Sequence, residues 1–445
     1  MKVDRIEIRN YKGFESCDVD FHPNMNVFIG SNASGKTTLL SAILKSVSQF
    51  SFRVTNVYNE NLQLGNNDVN YNENYASINS FISNFKDVGV NFNSFVNIGA
   101  GNELKKPQTI EMHFNKIIHD FKNKIGISPI TIPIIKFYPA NRGSITYTEV
   151  HNFNNFKISQ LEAWSNIYQD TLSYSKFFHW FFENETAELR LQRDSNDFKI
   201  QSPDLRDIRK ALELAFEELG YGSYSLLSKQ IKRAGNAKLL PALFLKNKKT
   251  NKEESLDNKS DGEKAIITLI ADIAYNLSIA KDFVSDDDFL KSPGIVMIDE
   301  IETHLHPKWQ REILPILIKI FPNIQFFVAT HSPQVVASVS SECVFICDNF
   351  KVDGVHLKTL GEDTNSLLKY IFEATDRPKE YVKLIEQIDI FIEQNKSPEE
   401  IKKVIHAIEL KYNQEDKASG LSNLIDDLNI RLAAYEFDRD YEKNN

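Results

Sequence analysis

Cysteine is scarce in this 445-residue chain: Cys17, Cys343 and Cys347 are all it has. Three thiols cannot build a disulfide framework, and the last two lack the second ligand pair that a zinc site needs. Long apolar runs are missing too, and nothing approaches the roughly 20 residues of a membrane helix. Met1-Lys2-Val3-Asp4-Arg5 has no apolar core of a secretion signal. These absences point to a cytoplasmic chain with no membrane partner. Basic charge is in deficit, with 52 Lys and Arg against 61 Asp and Glu. The net charge of -9 excludes a surface coated for nucleic acid, though not a local basic groove. No heptad pattern lasts three or four repeats, so no long coiled-coil arm is encoded.

What is present, 42% hydrophobic and 25% charged residues, describes a globular protein long enough for two or three domains. Ile6 and Ile8 alternate as in a strand, Asp18 to Phe21 returns, and Asn26 to Ile29 forms a third strand. Thr37 to Val47 reads as a helix with Leu39, Leu40, Ile43 and Leu44 on its buried stripe. Asparagine-rich residues 54–105 show little apolar period and read as a surface insertion. Strand patterns return at Thr109 to Phe114 and Thr131 to Tyr138, and Ile158 to Leu219 is helical. Helices at 264–282 and 307–320 alternate with strands at 294–299, 324–329 and 343–347. After Gly361 the chain becomes an amphipathic helical tail. There Ser397-Pro398-Glu399-Glu400 is a capping box that opens a helix with the stripe Ile401, Val404, Ile405 and Ile408. A final helix carries Leu421, Leu424, Ile425, Leu428 and Leu432.

The segment Gly30-Ser31-Asn32-Ala33-Ser34-Gly35-Lys36-Thr37-Thr38 lies between a strand and a helix. Its glycines let backbone N–H groups wrap a β-phosphate, Lys36 reaches the β and γ oxygens, and the Thr37 hydroxyl can ligate Mg²⁺. The helix that follows adds its positive N-terminal end. Gly294-Ile295-Val296-Met297-Ile298-Asp299-Glu300 is an apolar strand ending in two carboxylates. Asp299 suits the Mg²⁺ shell and Glu300 the polarising of an attacking water. Two further signals are Lys259-Ser260-Asp261-Gly262-Glu263-Lys264 at a helix start and Ala329-Thr330-His331-Ser332-Pro333 after a strand. Alone, each reads as an ordinary helix start or a structural histidine.

In that order, the four motifs resemble the ABC-type ATPase heads of the SMC, RecF and OLD-like group. "IEIRNYKGF", "IDEIETHLHP" and "ATHSPQVV" are similar to that group more than to transporter subunits. The resemblance covers about residues 1–50, 105–145 and 255–350. It implies an α/β P-loop NTPase head with an antiparallel β subdomain, a helical insertion and a C-terminal helical tail. The head would span 1–361, with insertions at about 54–105 and 145–235, and the helical region 362–445 would either dock a partner or pack on the core. Lys36, Thr37 and Asp299 would hold MgATP, Glu300 would be the base and His331 would sense the γ-phosphate. Ser260, Gly262 and Glu263, the signature turn, would serve the ATP of a second copy, so ATP would join two protomers in a homodimer or higher oligomer. Lys259 departs from the leucine usual before the serine. Asn141 and Arg142 are positional candidates for a further Mg²⁺ contact.

"FYPANRG" and the helical tail resemble the ATPase component of Septu-type antiphage systems, also found beside some retrons. That resemblance implies an ATPase that regulates a separate HNH nuclease. A self-contained OLD-type nuclease would need a carboxylate-rich βα domain, whereas the region after 361 is helical. A RecF-like DNA-binding ATPase in repair is the alternative. Lys246 to Lys252, with Lys229, Lys232, Arg233 and Lys238, is then the best nucleic-acid contact, or a solvated basic loop.

Overall fold

A computed structural model describes residues 1–55, 62–85, 88–97, 119, 131–140, 160–164, 167–168, 174–232, 239–281, 288–372, 379–394, 396–413, 425–426 and 428–437. The sequence signals at 109–114 and at Asn141, Arg142, Arg233 and Lys238 lie outside these residues. The chain divides into two compact units, Met1–Leu367 and Leu368–Asn445.

The first unit opens with β1 (Lys2–Tyr11), β2 (Phe14–Asp20) and β3 (Met25–Ile29), followed by α1 (Lys36–Thr55). β4 (Tyr75–Phe85) and β5 (Val88–Asn97) complete an antiparallel sheet in the order β2-β1-β4-β5. Residues 54–105, read from the sequence as a surface insertion with little apolar period, thus contribute two strands to this sheet. Ala76, Ile78 and Ile82 do alternate inward, but Ser80 shares their face and hides the apolar period. Ser80 is completely buried because it hydrogen-bonds Ser46 of α1, while Asn79 donates to Glu7 across the strands at 3.2 Å.

The second sheet takes β6 (Ile134–Tyr138), and α2 (Tyr174–Ser195) and α3 (Pro203–Glu218) follow it in the chain. A small antiparallel sheet comes next, β7 (Tyr224–Lys232), β8 (Leu239–Asn247) and β9 (Glu253–Ser255). After α4 (Asp261–Ala280), β10 (Gly294–Ile298), α5 (Pro307–Ile320) and β11 (Ile324–Ala329) return the chain to the large sheet. The hairpin of β12 (Val344–Asp348) and β13 (Lys351–Gly354) closes it. The order is β13-β12-β3-β11-β10-β6, parallel throughout except for β13. Because both faces of β3, β10 and β11 are covered, these strands are wholly buried; β10 reads as a continuous apolar run, while β3 and β11 each carry one buried amide, Asn26 and Gln325. Phe21 packs edge to face on Phe327 and Phe345, Phe28 lies tilted on Phe345, and Phe28 and Phe327 stack.

Two buried amides pin the sheets. Gln325 accepts the Val3 amide at 2.7 Å and donates to the Val3 carbonyl at 2.9 Å, joining β11 to β1. Asn26 accepts the His22 amide at 2.8 Å and fixes the entry into β3. Thus the loop after β3 starts from a rigid platform.

The second unit has α6 (Thr364–Tyr370) at its boundary, then α7 (Lys379–Glu393), α8 (Pro398–Asn413) and helical residues 428–437. Ser397 and Glu400 form the reciprocal cap of α8 at 3.1 and 3.3 Å. Ile388, Ile401, Ile405, Ile408, Leu428 and Leu432 make its core. No helix among the described residues is long and apolar enough to cross a membrane.

Candidate functional site

β3 delivers the loop Gly30–Gly35 to the N-terminus of α1. Gly30 has φ +148°, and a Cβ there would sit 2.1 Å from the Cys347 carbonyl oxygen. A side chain is excluded both by conformation and by β12. Gly35 has φ +110°, and a Cβ would press on the Phe350 ring at 2.9 Å. Phe350 also donates its amide to the Ser34 carbonyl at 3.0 Å, so the β12–β13 turn braces the loop from below. Nothing in the loop motif itself announces that brace.

Ser31, Asn32, Ala33 and Thr37 are exposed, Gly30 and Thr38 half-buried, and Ser34, Gly35 and Lys36 buried. The first intrahelical bond runs from the Leu39 amide to the Gly35 carbonyl at 2.8 Å. The amides of Lys36, Thr37 and Thr38 precede it and are therefore available to an anion. The Ser34 hydroxyl is buried without a hydrogen-bond partner. Lys36 folds back onto the Gly30 and Ser31 carbonyls at 2.9 and 2.8 Å. Burial lowers the Lys36 pKa, countered by Cys347, Asp299, Glu302 and Glu300.

β10 brings Asp299 to the same place. Its carboxylate accepts the Thr37 hydroxyl at 2.8 Å, and its amide donates to the Tyr138 carbonyl at 2.8 Å. A hydroxyl and a carboxylate at this separation are hard oxygen donors of the kind Mg²⁺ takes, so the residues fit that ion beside a phosphate. Glu300 follows with φ +49°, a strained value for a non-glycine residue at the start of a turn. His331 enters from β11. Burial lowers its pKa and Lys36 pushes the same way, against Glu302, Glu300 and Asp299. The structure therefore brings Lys36, Thr37, Asp299, Glu300 and His331 into one electrostatic neighbourhood.

The signature turn meets other partners. Ser260 is the N-cap of α4, accepting the Glu263 amide at 3.3 Å, and Glu263 in return accepts the Ser260 amide at 2.8 Å. Against burial, which would raise it, Ser260, Lys259 and Tyr221 hold the Glu263 pKa low. Gly262 has no room for a side chain: a Cβ would lie 2.4 Å from the His304 carbonyl. Ser260, Gly262, His304, His306 and Trp309 line an open groove. Lys259 lies against the Tyr221 and Tyr224 rings at 5.9 Å and pairs with Glu254 at 2.7 Å. Its stem lies on those rings while its charge is matched.

Three groups were not singled out in the sequence. Glu302 grips the backbone at His331, Gln310 bonds Ser332, and Tyr138 donates to Asp272 of α4 at 2.7 Å. The basic strip is the turn between β8 and β9, where Lys248 pairs with Glu213 at 2.7 Å, while Lys229 of β7 pairs with Glu253. Elsewhere, His22, Glu342 and Cys343 place ligand-type atoms within 4.8 Å of one another. However, the His22 Nδ1 accepts the Asn24 amide at 3.3 Å, and burial raises the Cys343 thiol.

Residues 25–337 match the family described as "AAA domain, putative AbiEii toxin, Type IV TA system". The chain is 27% identical over 493 residues to "Retron Ec83 probable ATPase" of Escherichia coli, covering 100% of this chain and 89% of that protein. It is 26% identical over 455 residues to "Retron Vc95 probable ATPase" of Vibrio cholerae serotype O1 biovar El Tor, covering 91% and 86%. "Septu protein PtuA" of Bacillus mycoides (strain KBAB4) is 42% identical over 83 residues, 19% of this chain and 11% of that one.

Proposed function

The chain belongs to this AAA-domain family and is similar to retron ATPases and, over a short stretch, to Septu, and from that premise we propose that it is an ATPase of the SMC/RecF-like kind that hydrolyses ATP between two copies of itself and thereby regulates a separate HNH nuclease in antiphage defence. The observation that carries the reading is the 2.8 Å bond from Thr37 to Asp299, which unites residues 262 positions apart at the head of α1. Lys36 leaves its loop carbonyls to meet the β and γ oxygens. The free amides at the start of α1 hold the phosphates. Thr37 and Asp299 would hold Mg²⁺, which would neutralise phosphate charge when bound. Glu300 accepts the proton of the attacking water, and His331 faces the γ-phosphate. Ser260, Gly262 and Glu263 lie on a turn whose capping serine is exposed, as contact with a second copy's ATP requires.

Because each ATP is shared, nucleotide binding stabilises the associated state. Sedimentation with and without ATP tests this. Glu300→Gln should accumulate as dimer or larger species with ATP, while Lys36→Ala should ignore ATP. Identical profiles for the two variants would reject the shared site.

A further inference from the structure

Glu302 uses both carboxylate oxygens on the segment that carries His331. Oε2 accepts the Thr330 hydroxyl at 2.7 Å and Oε1 accepts the His331 amide at 2.6 Å. Two bonds accepted by the two oxygens of one side chain fix orientation as well as distance. The grip is doubled from the other side. The Ser332 hydroxyl donates to Gln310 at 2.7 Å, and Gln310 donates to the Leu305 carbonyl at 2.9 Å. Both braces start from the turn Glu300–His306. That turn also carries the His304 carbonyl, which lies against Gly262 so closely that no Cβ fits between them. One short turn therefore touches the histidine segment at one place and the signature turn at another.

We propose that Glu302 is a positioning residue that aims His331 at the phosphate site and makes that aim depend on the signature turn. The inference rests on the ATPase reading above. A displacement of Gly262 moves the His304 carbonyl, the turn moves with it, and Glu302 carries the motion to the His331 backbone. Each copy's histidine thus senses whether its own signature turn has engaged the neighbour's ATP.

Glu302→Gln and Glu302→Asp in the full chain separate reach from charge. Glutamine keeps the length and an acceptor for the His331 amide, whereas aspartate keeps the charge but is one methylene short. We expect Glu302→Asp to lower kcat by roughly 100-fold with KM for ATP within about threefold, the scale of a ~1 Å misplacement. Glu302→Gln should stay within about threefold of wild type on the same comparison. Hydrogen exchange at the His331 amide should quicken by at least about tenfold in Glu302→Asp and not in Glu302→Gln. Gly262→Ala, which pushes the His304 carbonyl away, should quicken it as well. The clamp is overturned if the two Glu302 variants behave alike, if the aspartate is the milder, or if KM rises as kcat falls. The link to the signature turn is overturned if Gly262→Ala leaves His331 exchange at the wild-type rate. A wild-type chain without ATP turnover would sink the ATPase reading, while the exchange measurements still decide the clamp.

Discussion

His331 sits where burial and Lys36 both disfavour its proton, so its pKa in the folded chain lies below the ordinary value of about 6.5. As pH falls, the unfolded chain takes up that proton first. The stabilising contribution is therefore complete above about 6.5 and is lost as pH drops toward the folded value. Wild type should lose more stability between pH 7.5 and 5.5 than His331→Gln, measured as urea midpoints in parallel; superimposable pH curves would remove the electrostatic account. Cys347 shows the opposite use of burial. Its thiol is pushed up to about 12, so it stays neutral and inert beneath the loop that its carbonyl supports. The loop glycines were legible from spacing alone. Their partners were not, because Cys347 and Phe350 lie more than three hundred positions away and follow no period with them.

At the scale of elements, α4 joins two roles at its N-cap. Ser260 closes a capping box with Glu263, and the same turn is the proposed contact with a second copy's ATP. The roles separate by substitution. Ser260→Ala should cost about 1 kcal/mol of stability through the lost cap, read by denaturant melts. Ser260→Asp should keep the cap yet abolish ATP-driven association, since it sets a negative charge against phosphate. If both variants associate with ATP as wild type does, the turn does not touch the nucleotide. The Ser-Asp-Gly-Glu turn made this helix start readable, because the residues that begin a helix lie within one turn of the chain. β4 and β5 were opaque for the converse reason. Their buried Ser80 is satisfied by Ser46 on α1, and a one-dimensional hydropathy pattern cannot show that a polar residue has found a partner.

For the molecule as a whole, the second unit has its own isoleucine and leucine core, held at its surface by Arg431 on Asp389 at 2.6 Å. Its described segments are helical, so they supply no βα framework for a metal nuclease. The purified chain should leave plasmid DNA intact with Mg²⁺ or Mn²⁺, and nicking should appear only when an HNH nuclease is added. Cleavage by the chain alone, lost on mutating a carboxylate beyond residue 367, would overturn that division of labour.

By itself the sequence determined the glycine-bearing loop between β3 and α1, the Asp-Glu strand end, the start of α4 and the amphipathic stripe of α8. Each depends on residues close together in the chain, where spacing translates directly into geometry. Only the tertiary structure decided that Thr37 meets Asp299, that Phe350 braces the loop, and that Glu302 holds the histidine segment. Those contacts join separate elements whose meeting is set by sheet order, and sheet order leaves no periodic trace in the chain.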